Sequence, residues 1–501
     1  MGNANLYALM KERFPADPEQ PCLLHPAGGV VTYRMLDAQS ARIANVLADA
    51  GCQVGDRIAA QVEKSAAALC TYLACLRAGF VYLPLNTGYQ PREVAYFLDD
   101  AKPRAIVCSP AARNSIAPIA PAGATVFTLD ERGDGTLCDA ANGAGDRFET
   151  VARAPGDLAS ILYTSGTTGR SKGAMLSHRN LASNAKTLVD CWGFTAADVL
   201  YHALPIYHVH GLFVATHCVL LSGGRMWFCP KFDVAEARRL LPRSTAMMGV
   251  PTFYTRLLGD GAFSRDDCRS IRLFVSGSAP LLPETFAQFE LVTGQRILER
   301  YGMTETGMIT SNPLDGERIG GTVGLPLPGV QVRVMSEEGQ PMPANETGGI
   351  EVQGPNVFAG YWQMPEKTAE EFTADGWFRT GDMGRLLDNG YLQIVGRAKD
   401  MIITGGLNVY PKEIEELIDA LPGVVESAVV GIPHPDFGEA VTAVVVAKPA
   451  AGVTPEVVIA ALRPQLAGFK MPKQVHVVAD LPRNAMGKVQ KNLLRQRYAS
   501  Q

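Results

Sequence analysis

Residues 161–173 read ILYTSGTTGRSKG. A short apolar run enters a stretch in which eight of the thirteen residues are Gly, Ser or Thr, with Lys172 near its end. Gly166, Gly169 and Gly173 let the backbone come close to a ligand and take up positive φ. Thr164, Ser165, Thr167, Thr168 and Ser171 bring hydroxyl donors, and Lys172 brings a positive charge. Such a loop can wrap a polyphosphate with backbone N–H groups. A plain polar turn needs only one or two residues of this kind. The spacing is not G-x-x-x-x-G-K-[ST], the loop that positions a γ-phosphate for transfer. A different spacing fits attack at a different phosphorus.

The elements that must carry this loop alternate. DRIAAQV (56–62), RAIVC (104–108), ASILYTS (159–165), RMWFC (225–229) and RLFVSGS (272–278) read as buried strands. Stretches such as 41–50 and 282–294 have helical spacing between them. Strands alternating with helices imply parallel sheets covered by helices. From about 322 to 396 the texture changes: 329–354 has short alternating strands, Gly-bearing turns and no helix, which reads as a compact β subdomain. A smaller α+β unit follows. Its helices open at Pro411, in YPKEIEELIDAL, and behind Thr454. From Arg463 onward the chain is basic, with Asp480 its single acid.

Five further segments keep the order of the first: LPIYHVHG (204–211), YGMTE (301–305), WFRTGD (377–382), GRAKDMIITGG (396–406) and PRNAMGKVQK (482–491). Together with YTSGTTGRSKG they resemble the signatures of the adenylate-forming superfamily of acyl- and aryl-CoA synthetases, the AMP-binding enzymes. The resemblance spans essentially the whole chain. It implies an α/β fold: a large N-terminal AMP-binding domain of helix-flanked β-sheets (1–396) with a β-barrel-like subdomain (322–396), and a small mobile α+β C-terminal domain (397–501). It implies that a carboxylate attacks the α-phosphorus of ATP, giving an acyl adenylate and pyrophosphate, and that coenzyme A then takes the acyl group.

Residue by residue, the resemblance assigns Thr164, Ser165, Gly166, Thr167, Thr168, Gly169 and Lys172 to the phosphates. Glu305 is given to Mg²⁺, which prefers hard oxygen ligands, and Thr304 to the α-phosphate. Tyr301 offers a flat face for adenine. Asp382 has two acceptor oxygens for the ribose hydroxyls, and Arg397 reaches the same region. Lys488 is matched to the lysine that aligns the attacking carboxylate with the α-phosphate. Lys399 is matched to the hinge, Gly405 and Gly406 to the pantetheine arm of CoA, and His208 to the gate beside the acyl pocket. Acetylation of Lys488 would remove its charge, which makes a lysine acetyltransferase an expected partner.

The acid is expected to lie near Arg256, Gly277, Ser278, Arg300 and Met303, with His208. Many family members have a small or neutral residue where this chain has Arg300. A buried guanidinium is costly unless paired, and a carboxylate pairs with it through two parallel hydrogen bonds. The departure resembles the members that activate malonate, and methylmalonate falls in the same range. The alternative is that Glu299 or another internal acid neutralises Arg300 and that Arg256 faces solvent. Ligation of another small acid to CoA, or loading of a free-standing carrier protein, are the other readings. His202, His208, His210 and His217 raise the question of zinc, but no motif supplies the compact four-ligand spacing of a structural site; His208 and His210 would share one side of a strand.

The totals agree with a soluble enzyme of small molecules. The 501 residues are 47% hydrophobic and 19% charged, with net charge −4 and no long run of one sign. That balance argues against a nucleic-acid partner. No apolar run reaches the ~18 residues that span a bilayer, and the N-terminus does not read as a secretory leader. A cytoplasmic monomer or weak homo-oligomer is expected. The ten cysteines, Cys22 to Cys268, contain no C-x-x-C pair and read as core residues or free thiols.

Overall fold

The computed structural model describes residues 2–164, 171–404, 407–435, 437–484 and 487–499. It divides into two compact units, Met1–Gln331 with Val352–Phe378, and Val332–Glu351 with Arg379–Gln501.

The first unit is built on two sheets. One has six strands in the order Thr125–Thr128, Ala105–Cys108, Arg57–Gln61, Val81–Pro84, Leu158–Thr164 and Lys172–Ser177. The other has nine: Leu325–Pro326, Gly307–Ser311, Leu298–Met303, Leu273–Ser276, Ala246–Gly249, Val199–His202, Arg225–Phe228, Pro21–Leu24 and Val30–Thr32. Their central strands are parallel and largely apolar, as strands covered on both faces tend to be. The helix Ala66–Ala78 shows the local logic. Ser65 caps its first turn by accepting from the Ala68 N–H, and Gly79 ends it at φ 72°.

The sheets are mixed rather than purely parallel, and the exceptions matter. Leu158–Thr164 and Lys172–Ser177 form an antiparallel hairpin with Thr164 opposite Lys172. Leu298–Met303 and Gly307–Ser311 form another, with Met303 opposite Gly307. In sequence, TSGTTGRSK joins the two strands of the first hairpin, and MTETG those of the second.

The second unit holds almost all of an open four-stranded sheet, Gln331–Met335, Gly348–Gln353, Phe378–Leu386 and Leu392–Arg397. This corrects the barrel-like expectation for 322–396: the strands do not close on themselves. The range is also not purely β. A helix, Pro365–Glu371, interrupts it, with Pro365 and Glu366 in its first turn, and its residues belong to the first unit. The rest of the second unit packs the helices Pro411–Asp419 and Pro455–Leu462 on the long hairpin Val424–His434 and Gly438–Ala447, around Ile414, Ile418, Val441, Val445 and Val458. Thr454 caps the second of these helices. Among the described residues no helix is long and apolar enough to cross a membrane.

The nine-stranded sheet is tied together at the amino ends of its strands. Asp198, buried, accepts from Arg272 Nε and Nη2 (both 2.9 Å), Thr245 Oγ1 (2.6 Å) and the Thr195 N–H (2.8 Å). Burial alone would raise its pKa, but the hydrogen bonds from Arg272 and Thr245 outweigh it and hold the carboxyl below its ordinary value. The stabilisation is therefore complete above about pH 4 and fades as pH falls through the depressed value. Asp198→Asn is expected to cost about 2 kcal/mol at pH 7, less than a fully buried pair because Arg272 is partly exposed. Urea midpoints of wild type and variant should converge as pH is lowered from 7 to 3.

Candidate active site

At the phosphate-loop hairpin, Tyr96 Oη donates to the Ser171 carbonyl (2.8 Å), and Tyr163 Oη donates to Asp100. Both strands are thus anchored to the helix Pro91–Ala101. Ser165, Gly166, Thr167, Thr168 and Gly169 lie outside the described residues. Lys172 is buried, with Nζ 3.2 Å from Glu371 and 4.1 Å from the Tyr361 ring centre. Tyr361 Oη donates to Glu305 Oε1 (3.1 Å), and Thr164 Oγ1 approaches the same oxygen at 3.5 Å. The fold therefore brings Glu305, 141 residues beyond Thr164, to the hairpin that carries Thr164 and Lys172. It adds Tyr361 and Glu371, which the sequence reading missed. Thr304 and Tyr301 are half-buried on either side of Met303. Among the described residues no group of three His, Cys, Asp or Glu side chains could hold a metal. Glu305 suits a hard cation that takes its remaining ligands from phosphate and water.

A second cluster lies past the carboxyl ends of the parallel strands, where ligands bind in open α/β sheets. Arg300 is only 3% exposed, and its Nε and Nη2 have no hydrogen-bond partner among the described residues. Burial pulls its pKa down to about 10, which leaves it charged at pH 7. Glu299, the internal acid considered above, turns one oxygen to the Leu281 N–H (3.0 Å); neighbours on a strand face opposite sides. The guanidinium fits because residue 277 is glycine: a Cβ there would lie 2.4 Å from Arg300 Cζ. Ser278 follows at φ 72°, a strained value for a residue with a side chain. Ser278 Oγ and His210 Nδ1 share a hydrogen bond of 3.2 Å. Burial first, and then the charge of Arg300, hold His210 well below its usual pKa, so it is neutral.

His208 and His210 do not sit on a strand as the spacing suggested. His210 begins a π-helical turn, His210–Ala215, and His208 is half-buried just before it. Met303 is half-buried at the end of the Arg300 strand. Arg256 is exposed in the last turn of the helix Pro251–Gly259 and is not drawn into the buried set.

The remaining candidates belong to the second unit. Asp382 is buried, pairs across the sheet with Arg397, and accepts from Arg397 Nε at 2.7 Å. Lys399 lies in the turn Ala398–Asp400, and burial lowers its pKa. Lys488 is exposed, held by its own N–H to Asn484 Oδ1 (3.0 Å) and by its carbonyl to the Asn484 N–H (2.9 Å). Gly405 and Gly406 lie outside the described residues.

Residues 10–362 match the family described as AMP-binding enzyme, and residues 413–488 its C-terminal domain. A malonate–CoA ligase of Arabidopsis thaliana is 36% identical, over 90% of this chain and 79% of its own length. A feruloyl-CoA synthase of an Amycolatopsis species is 34% identical, over 99% of this chain and all of its own. The crystal structure of ATP-bound MatB from Rhodopseudomonas palustris superposes with a TM-score of 0.98 at 57% identity, covering 99% of both chains. With the loop hairpin, Glu305 and the two units in place, the chain belongs to the family of AMP-binding enzymes.

Proposed function

We propose that this protein is an AMP-forming acid–thiol ligase that joins malonate to coenzyme A. One malonate carboxylate oxygen attacks the α-phosphorus of ATP. The bond from that phosphorus to the α,β-bridging oxygen breaks, and pyrophosphate leaves. The CoA thiol, giving up its proton, then attacks the acyl carbon of the adenylate; the acyl C–O bond breaks and AMP leaves. The malonate–CoA ligase among the relatives and the ATP-bound structural neighbour support this reading.

The names of the relatives do not agree on the acid, so the choice rests on one observation: the buried, charged Arg300, whose Nε and Nη2 have no hydrogen-bond partner among the described residues. A second carboxylate at the far end of the acid would satisfy it. A monocarboxylate would leave it unpaired, and sites of this kind discriminate strongly. Ser278 and neutral His210 add polar contacts without a competing charge. At the other end, Lys172 and the phosphate loop take the β- and γ-phosphates, and Thr304 the α-phosphate. Mg²⁺ on Glu305 would offset phosphate charge there. Asp382 and Arg397 hold the ribose, and Lys488 bridges the reacting carboxylate and the α-phosphate.

With ATP, Mg²⁺ and CoA, AMP, pyrophosphate and acyl-CoA are expected to form fastest with malonate, then methylmalonate, and slowly with succinate, acetate or benzoate. Preference for benzoate or acetate would overturn the choice of acid, and ADP as product would overturn the reaction. Arg300→Ala should lower kcat/KM for malonate about 100-fold, or ~3 kcal/mol. Its thermal midpoint should not fall, since an unpaired buried charge is removed. Gly277→Ala should raise the malonate KM at least ~10-fold by displacing the guanidinium, with the ATP KM little changed. Lys488→Ala should slow adenylate formation roughly 100-fold or more. Thioester formation from supplied acyl adenylate should be largely spared; equal loss of both half-reactions would remove Lys488 from its role.

A further inference from the structure

Lys64 belongs to none of the motifs, yet it is buried in the first unit between the strand Arg57–Gln61 and the helix Ala66–Ala78. Its Nζ donates to the carbonyl oxygens of His202 (2.8 Å) and Leu204 (2.9 Å) and lies 3.2 Å from His202 Nδ1. The Phe228 ring centre is 4.4 Å away. Burial lowers its pKa to about 7, as befits an ammonium held with no carboxylate among these contacts. Packing alone would be served by an apolar chain of the same length, without the desolvation cost.

An ammonium has three donors and no acceptor. The Gly211 carbonyl beside His202 Nε2 can only accept, which assigns the ring hydrogen to Nε2 and leaves Nδ1 as the acceptor for Lys64. Nε2 then donates to the Gly211 carbonyl at 3.0 Å. Burial and the Lys64 charge hold His202 well below its usual pKa, so it stays neutral in this tautomer. The segment 204–211 is thus fastened at both ends, at the Leu204 carbonyl by Lys64 and at the Gly211 carbonyl by His202. Its ends also touch: a Cβ on Gly211 would lie 1.9 Å from the Pro205 carbonyl oxygen. His210 comes from this closed loop and meets Ser278 beside Arg300.

We infer that Lys64 is a positioning residue for acid recognition, setting through His202 and the 204–211 loop where His210 stands beside Arg300. The inference rests on malonate as the acid, so the wild-type enzyme is assayed first; no malonate-dependent AMP sinks that reading, and this inference with it, before any variant is compared. In the full-length enzyme, Lys64→Met is expected to raise the malonate KM about tenfold while the ATP KM stays within about twofold. The ratio of kcat/KM for malonate over acetate should fall by about tenfold. Equal losses for both acids, or a matching rise in the ATP KM, would make Lys64 a packing residue and overturn the inference. If Lys64→Met does not fold, Lys64→Gln takes its place with the same two outcomes. Failure of both to fold assigns Lys64 to the core alone and likewise overturns it.

Discussion

A guanidinium taken out of water loses several kcal/mol of solvation, and Arg300 recovers little of it from the protein. Two of its nitrogens lack partners among the described residues. The chain just past the strand Leu273–Ser276 has no side chain at Gly277, which makes room, and Ser278 holds a strained backbone next to it. A protein selected only for stability would place an apolar residue here. The arrangement makes sense when the energy of the site is completed by the acid it binds, because the missing partner is then the substrate's second carboxylate.

The two ends of the site use charge differently. At the phosphate end, Lys172 already has an internal counter-ion in Glu371 and lies against Tyr361. A paired lysine of this kind can exchange one anion for another at modest net cost, which suits a group that must release pyrophosphate in each cycle. At the acid end Arg300 feels the charge of Glu299, yet among the described residues no hydrogen bond reaches its Nε and Nη2, which leaves these donors for a second carboxylate in the proposed reading.

Much of this organisation was readable from the chain because it is local. The helix starts at Pro411 and Thr454 follow from caps and fixed φ, and both helices form there. The buried strands are short apolar runs, and all five quoted runs contain one. What could not be read is non-local. The Glu371–Lys172 pair joins residues 199 apart, and its helix hid inside a β-rich range although Pro365 and Glu366 signalled it. His208 and His210 were read at strand spacing, but the loop before them closes on Gly211, and the chain leaves it as a π-helical turn. The sequence puts both Arg256 and Arg300 near the acid and marks Arg300 by its departure from the family pattern; that Arg300 is buried and Arg256 exposed is seen only in the fold.

The same reasoning explains why Arg300 could not have become selective by itself. Any side chain at 277 would occupy the space of the guanidinium, since even a methyl would stand 2.4 Å from Cζ. The polar neighbours must also stay uncharged, and burial together with the arginine itself keeps His210 neutral. A neutral His210 neither repels Arg300 nor competes for the incoming carboxylate. In the proposed reading, acid selectivity is thus a property of a set: a cation, the absence of a side chain beneath it, and a neutral polar wall held in place. A side chain at 277 would clash with the guanidinium, and removing the guanidinium would leave the neutral wall with no charge to meet a second carboxylate.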